Sequence, residues 1–164
     1  MNNNDVLRRL RYLLDYSDDE MRDIFACENY QMTPQKISSF MKKEEDEGYV
    51  EMGDSDMGIF LDGLITKLRG KREPKPGQKA ERRMVPRNNN DLLKKLRIAF
   101  QLQESSMLEV FALGGFSMQK GELSAFFRKK GHKNYKPLGD QAFRKFLKGL
   151  LEYRDKGNLT GWNA

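Results

Sequence analysis

The chain has 164 residues, of which 33% are charged and 38% hydrophobic, and its net charge at pH 7 is +6. This composition is typical of a helix-rich globular protein and argues against an intrinsically disordered chain. No apolar run approaches the roughly 20 residues that a membrane span requires, and residues 1–5 lack the basic and apolar stretches of a signal peptide. We therefore expect a cytoplasmic protein without a membrane partner.

The sequence contains an internal repeat. Asn2-Asn3-Asn4-Asp5 returns as Asn88-Asn89-Asn90-Asp91, and the offset of 86 residues then holds without a gap for about seventy residues. Near the end of the period, Phe60-Leu61-x-Gly63-Leu64 returns as Phe146-Leu147-x-Gly149-Leu150. A fixed period of this kind indicates the tandem duplication of one small domain. We predict an all-α protein of two homologous four-helix repeats, joined by a basic, proline-containing linker.

The first helix of each repeat is predicted by apolar spacing. Val6, Leu10 and Leu13 follow the period of one helical face, and the same pattern recurs 86 residues later. Asn4 or Asp5 is available as the N-cap. The apolar period therefore predicts an amphipathic helix at the start of each repeat.

The second and third helices have clear start signals. Ser17 is a good N-cap, and the acidic residues that follow it suit the positive end of the helix dipole. Thr33-Pro34 opens the third helix, because proline is pre-set for the first helical position. The twin of the third helix is expected to direct Phe126 and Phe127 into the core.

The fourth helix carries two features that are shared by both repeats. Asp54 and Asp140 are predicted to be its N-caps. Gly63 and Gly149 lie inside it, where glycine costs about 1 kcal/mol relative to alanine, so we expect a close approach of another helix there. The predicted core comprises Leu10, Phe25, Phe40, Phe60, Leu61 and Leu64, with Leu96, Phe111, Phe126, Phe146, Leu147 and Leu150.

The predicted boundaries follow the duplication. Residues 1–70 form the first repeat, 71–87 the linker, 88–157 the second repeat and 158–164 a frayed tail. The linker holds three of the five prolines in the chain and has no apolar period. It should therefore be extended and mobile unless a partner orders it.

Several motifs together resemble a known family. They are the run from Leu93 to Phe100, the string His132-Lys133-Asn134-Tyr135, the following Gly139-Asp140-Gln141, and both copies of Phe-Leu-x-Gly-Leu. These motifs resemble the bacterial family typified by the enterobacterial YehS protein, over about residues 2 to 156. The resemblance implies a small, soluble, bacterial cytoplasmic protein of two helical repeats, and no established activity comes with it.

The sequence offers little support for an enzyme. His132 is the only histidine and corresponds to Asp46 in the first repeat, so we interpret it as a surface or phosphate-facing residue. Cys27 is the only cysteine and corresponds to Leu113, which favours a small core hydrophobe. Tyr49 and Tyr135 are expected to wedge an apolar ring into the core. We predict no catalytic residue, no metal site and no cofactor.

Charge points to a different kind of function. The net charge is −8 over residues 1–66, +7 over residues 67–90 and +7 over residues 91–164. Clustered cations are the electrostatic footprint of a protein that binds phosphate backbones. We predict a non-enzymatic protein that contacts RNA or DNA, or a ribonucleoprotein, through Arg82, Arg83, Arg87, Lys120, Arg128, Lys129, Lys130, His132, Lys133 and Lys136.

Three alternatives remain open at this stage. An adaptor or homodimer could pair acidic with basic repeats, and an enzyme could use polar groups that both repeats share. In outline, the second and third helices followed by residues 47–51 also resemble a helix-turn-helix with a wing. The usual small residue four before a turn glycine is absent in both copies, so an ordinary helical bundle is preferred.

Overall fold

A computed structural model describes residues 1–70 and 84–159 of the chain. It divides into two compact units, Met1–Pro86 (unit 1) and Arg87–Ala164 (unit 2). The described residues form eight α-helices and no strand, which confirms the all-α prediction of two four-helix repeats. They also contain no wing of the kind that a winged helix-turn-helix requires. Most of the predicted linker, residues 71–83, lies outside the described residues.

Each unit contains four helices in the same order. In unit 1 they are α1 (Asn3–Leu14), α2 (Asp18–Ala26), α3 (Pro34–Met41) and α4 (Asp54–Arg69). In unit 2 they are α5 (Asn89–Ala99), α6 (Glu104–Leu113), α7 (Lys120–Phe126) and α8 (Asp140–Asp155). In each unit the last helix packs against the second, and α6 and α8 share the most extensive contact. None of these described helices is long and apolar enough to span a membrane.

Among the starts predicted for the first three helices of unit 1, two are confirmed and one is wrong. Ser17 caps α2 and forms a capping box with Glu20, and Thr33 caps α3 ahead of the proline at its first position. The cap of α1, in contrast, is Asn2, whose side chain accepts a hydrogen bond from the Asp5 N–H. Asn4 was therefore wrongly predicted as a cap.

The predicted core is confirmed, since all twelve of its residues are buried. The same aromatic pair lies at its centre in both units. The rings of Phe25 and Phe60 are 5.5 Å apart, and those of Phe111 and Phe146 are 5.0 Å apart, both tilted. Such pairs add about 0.5–1.5 kcal/mol to the burial of the rings themselves.

The close helix approach predicted at the shared glycines is also confirmed. A Cβ atom on Gly63 would lie 2.1 Å from the Ile24 carbonyl oxygen of α2. The equivalent atom on Gly149 would lie 1.8 Å from the Val110 carbonyl oxygen of α6. Real Cβ atoms do not approach backbone oxygens this closely, so only glycine allows the two helices to pack at this distance.

Three smaller predictions need correction. Cys27 is exposed as the C-cap of α2, where its side chain is not in the core. Phe127 is the C-cap of α7 and is only partly buried, with its ring against the Arg97 guanidinium group. Leu159 belongs to the segment predicted to be frayed, yet its side chain is buried in unit 2. Residues 160–164 lie outside the described residues.

The glycine contact predicts an asymmetric response to alanine. Gly149→Ala should destabilise unit 2 by at least the usual overpacking cost of about 1–3 kcal/mol, because α6 and α8 must move apart. Gly121→Ala is the matched control, since Gly121 lies in α7 with no heavy atom within 4 Å of the added Cβ. It should be neutral or stabilising, because alanine is the better helix former. Chemical denaturation measures both variants, and equal stability of the two would contradict the close contact.

Candidate nucleic-acid interface

The segment that joins α7 to α8, residues 127–139, carries most of the predicted site and is called the basic loop. Its turns are fixed by backbone hydrogen bonds from His132 N to Lys129 O (2.9 Å) and from Tyr135 N to His132 O (2.9 Å). A third bond, from Lys136 N to Ala125 O (3.0 Å), ties the loop to α7. The loop exposes five cationic side chains to solvent: Arg128, Lys129, Lys130, Lys133 and Lys136.

Unit 1 contains a loop with the same pattern of backbone hydrogen bonds, residues 42–53, which is called the acidic loop. Its hydrogen bonds run from Asp46 N to Lys43 O (2.9 Å), from Tyr49 N to Asp46 O (3.3 Å) and from Val50 N to Ser39 O (3.3 Å). Each bond corresponds to one in the basic loop at the offset of 86 residues. The two loops therefore share their backbone hydrogen bonds and carry opposite charges, although the left-handed glycine is Gly48 in one and Gly131 in the other, which are not equivalent positions.

A buried asparagine holds the basic loop in place. Asn90 lies in the first turn of α5 and is 7% exposed. Its Nδ2 donates to the carbonyl oxygens of Phe126 and Lys136 at 2.9 Å each, and its Oδ1 accepts from Leu138 N at 2.9 Å. A buried carboxamide is costly unless it is hydrogen-bonded, and here three of its four bonding positions are filled by backbone groups.

Asn4 makes the same contacts in unit 1. It is fully buried, and its Nδ2 donates to Phe40 O (3.1 Å) and Val50 O (2.9 Å). Its Oδ1 accepts from Met52 N at 2.8 Å. The buried asparagine is thus a shared structural residue whose side chain takes no part in capping the helix.

The neighbouring asparagines correct the role given to Asp54 and Asp140. The N-caps of α4 and α8 are Gly53 and Gly139, and neither Asp makes a side-chain cap. Instead Asn3 Nδ2 donates to Asp54 Oδ1, and Asn89 Nδ2 donates to Asp140 Oδ1, at 2.8 Å in both units. Each aspartate therefore ties the start of the last helix to the start of the first.

Tyr49 has a polar role that its sequence position did not reveal. Its hydroxyl donates to Asn4 Oδ1 (3.3 Å) and accepts from Asn2 Nδ2 (3.1 Å). Removal of the phenol from water, together with nearby Glu51 and Glu44, raises its pKa. The hydroxyl therefore stays protonated at neutral pH and supports the acidic loop as a donor, whereas the prediction considered only the ring.

The predicted contact residues separate into two places. Arg87 directly precedes Asn88, the N-cap of α5. The next two residues, Asn89 and Asn90, donate hydrogen bonds to the basic loop. Arg87 therefore lies at the same end of unit 2 as the loop. Lys120 begins α7, about 9 Å of helix from the loop, and its Nζ lies 3.6 Å from Glu104 Oε1. Arg82 and Arg83 lie outside the described residues.

Two further cations at the loop end were not in the predicted set. Arg144 follows Asp140 by one turn of α8 and is exposed. Lys94 is exposed on α5 and occupies the position of Arg8, which donates to the Lys42 carbonyl oxygen at the start of the acidic loop (2.8 Å). The offset of 86 residues was the signal that could have identified Lys94.

Comparison of the two loops separates the cations that both units share from those that only unit 2 has. Arg128 and Lys129 correspond to Lys42 and Lys43, so both units place two cations after the third helix, where the helix dipole favours them. The cations peculiar to unit 2 are those that replace Glu44, Glu47 and Val50: Lys130, Lys133 and Lys136.

His132 has a local structural partner. It is exposed, and its Nδ1 accepts a hydrogen bond from Asn134 N at 3.0 Å. Asp46, its counterpart, accepts from Lys43 N at 3.1 Å through Oδ2. Both side chains therefore stabilise the turn as acceptors, and the outer edge of the His132 ring remains at the surface.

Within residues 1–70 and 84–159, no group of three or more His, Cys, Asp or Glu side chains could hold a metal ion.

Comparison with known proteins gives a match for each repeat. The family model described as "Protein of unknown function (DUF1456)" matches residues 3–70 and 89–155. The chain is also 39% identical over 150 residues to the uncharacterized protein YehS of Escherichia coli strain K12, across 92% of this chain and 94% of that protein. No solved structure gives a significant match. The family resemblance noted in the sequence is confirmed.

The buried asparagine predicts that the basic loop opens when the carboxamide is removed. Asn90→Ala leaves three backbone groups without their partner, at about 1–3 kcal/mol for each that stays unsatisfied, and should destabilise unit 2 accordingly. The Leu138 amide should then exchange faster with solvent in hydrogen-exchange measurements. Asn90→Asp keeps the acceptor for the Leu138 N–H but loses both donors, so it should destabilise unit 2 while protecting Leu138 better than Asn90→Ala does. Asn158→Ala, at an exposed position, should have little effect. Unchanged protection of Leu138 in Asn90→Ala would contradict this role.

Proposed function

We propose that this chain, which belongs to the DUF1456 family of proteins of unknown function, binds nucleic acid through phosphate groups at its basic loop. In this proposal it is a binding protein of the bacterial cytoplasm without catalytic activity or cofactor. The contact surface consists of the basic loop and the cations that lie at the same end of unit 2, namely Arg87, Lys94 and Arg144.

The observation that carries the proposal is the charge reversal between two loops of the same backbone design. The acidic loop shows that the hydrogen-bond pattern tolerates Glu44 and Glu47 where the basic loop has Lys130 and Lys133. The fold therefore does not require these lysines. Exposed cations without a structural explanation favour a role in binding an anionic partner.

The chemistry of the surface fits a phosphate backbone better than a base edge. Lysine ammonium groups are flexible point charges that neutralise phosphates without reading sequence. Their binding releases counterions from the nucleic acid, which makes the affinity strongly dependent on salt. The proposed activity is therefore sequence-tolerant binding.

A second candidate function is self-association or adaptor binding. The same charge reversal would allow the acidic loop of one chain, with Glu44, Glu45, Asp46 and Glu47, to face the basic loop of another or of a different protein. A salt-sensitive dimer in protein freed of nucleic acid, measured by analytical ultracentrifugation, would support this candidate.

Loss of two distinctive lysines should weaken binding and its salt dependence. The double variant Lys130→Gln with Lys133→Gln removes two phosphate contacts, so the slope of log affinity against log salt should fall by about 2. Lys120→Gln with Lys156→Gln is the matched control, because it removes the same charge away from the loop. Fluorescence anisotropy with labelled DNA and RNA over a salt series measures both.

A loop exchange tests the same point without relying on single residues. Replacing residues 128–135 by residues 42–49 keeps the shared backbone pattern, brings Gly48 with its left-handed conformation, and reverses the charge. This variant should fold and lose affinity for nucleic acid. If the parent protein binds neither DNA nor RNA at low salt, the proposed function is wrong and the self-association candidate takes its place.

A further inference from the structure

The exposure of the aromatic rings in unit 2 helps to decide whether the surface around the basic loop fits single-stranded or double-stranded nucleic acid. Within residues 84–159, six of the nine aromatic side chains are buried in the core. The other three rings are only partly exposed to solvent: Phe116, Phe127 and Tyr135. The described part of unit 2 therefore offers no fully exposed ring beside its cations.

Two of the three partly buried rings are also covered by cations of the chain itself. The Arg97 guanidinium carbon lies 4.8 Å from the centre of the Phe127 ring, at the start of the basic loop. Arg97 is held there by a hydrogen bond from its Nε to the Leu102 carbonyl oxygen (3.1 Å). Lys145 Nζ lies 5.7 Å from the centre of the Phe116 ring. Cation–π contacts of this kind occupy a face on which a base could otherwise stack.

The third ring belongs to the loop framework. Tyr135 occupies the position of Tyr49, and its backbone N–H closes the second turn of the basic loop on His132 O at 2.9 Å. Its ring is partly buried in the loop, so only part of its surface is open to a base. Its use as a stacking platform is therefore disfavoured.

The lack of a fully exposed ring within residues 84–159 affects single strands more than duplexes. Proteins that bind single strands without sequence preference gain about 1–3 kcal/mol per base from stacking on aromatic rings. A duplex keeps its bases stacked on each other and presents one phosphate charge per about 1.7 Å of its axis. A surface of exposed cations without exposed rings can gain phosphate contacts from either form, but the duplex supplies them at higher density.

We propose that the basic loop surface selects double-stranded over single-stranded nucleic acid. This inference rests on the proposed function and adds the class of ligand to it. Duplex DNA and duplex RNA share the phosphate chemistry that the surface recognises. The slope of log affinity against log salt is roughly 0.9 per neutralised phosphate for a duplex and roughly 0.7 for a single strand. If about five phosphates are neutralised, the two slopes differ by about one log unit of affinity per tenfold change in salt.

The test compares labelled duplexes of two helical turns, about 20 base pairs, with their unstructured single strands, using the full-length protein and fluorescence anisotropy. Duplexes of DNA and of RNA are measured separately, so that the source of the phosphates is identified. Both the DNA and the RNA duplex should bind tighter than the corresponding single strand at low salt, and each tenfold decrease in salt should widen that difference by about tenfold. Trp162 lies outside the described residues, and Trp162→Ala should leave this preference unchanged.

The outcomes separate this inference from the function on which it rests. Single strands that bind as tightly as the duplexes overturn the duplex preference but leave nucleic-acid binding intact. In that case a loss of single-strand affinity in Trp162→Ala would locate the stacking ring in the tail. If neither form binds at low salt, both the inference and the proposed function are wrong.

Discussion

The buried carboxamide at the start of each repeat is the interaction on which the rest of the structure depends. Asn4 and Asn90 are separated from water. Each donates to one carbonyl oxygen in the third helix and one in the loop that follows it, and each accepts from one amide of that loop. Because a buried amide without partners is costly, the loop cannot leave its position without a penalty. These partners are backbone atoms, joined in unit 1 by the Tyr49 hydroxyl, so the constraint acts mainly on the path of the loop and does not depend on the charge of its exposed side chains.

Further contacts fix the end of the loop that leads into the last helix. In unit 2, Asn89 binds Asp140 at the start of α8, and Gly149 holds α8 against the Val110 carbonyl of α6. The same contacts recur in unit 1 through Asn3 with Asp54 and through Gly63. A loop with both ends fixed and its turns hydrogen-bonded presents its cations in a restricted arrangement. Such preorganisation lowers the entropy that a binding partner must overcome.

Much of the fold could be predicted from the sequence, because apolar spacing and an unbroken offset of 86 residues are local, periodic signals. The helix caps were harder, since Asn2, Asn4 and Asp5 all have suitable side chains for the same role. The function of Asn4 depends on partners 36 to 48 residues away, which no local pattern contains. Cys27 was misplaced for a related reason: its residue type favours burial, but its position at the end of α2 faces solvent.

The candidate site could be predicted only as a set of cations, since sequence does not show which of them have structural partners. Lys120 has Glu104, Lys136 lies over the Phe126 ring, and Arg128 and Lys129 have counterparts in the acidic repeat. What distinguishes a nucleic acid from the acidic loop as a partner for the remaining lysines is the state of its counterions. A duplex carries a condensed layer of ions that binding releases into solution, whereas a loop of four carboxylates carries no such layer. Attraction between two loops therefore weakens with salt through screening alone, over a Debye length of about 10 Å at 0.1 M. The entropy of ion release is available only to the polymer, which favours nucleic acid over a second protein loop as the ligand of this surface.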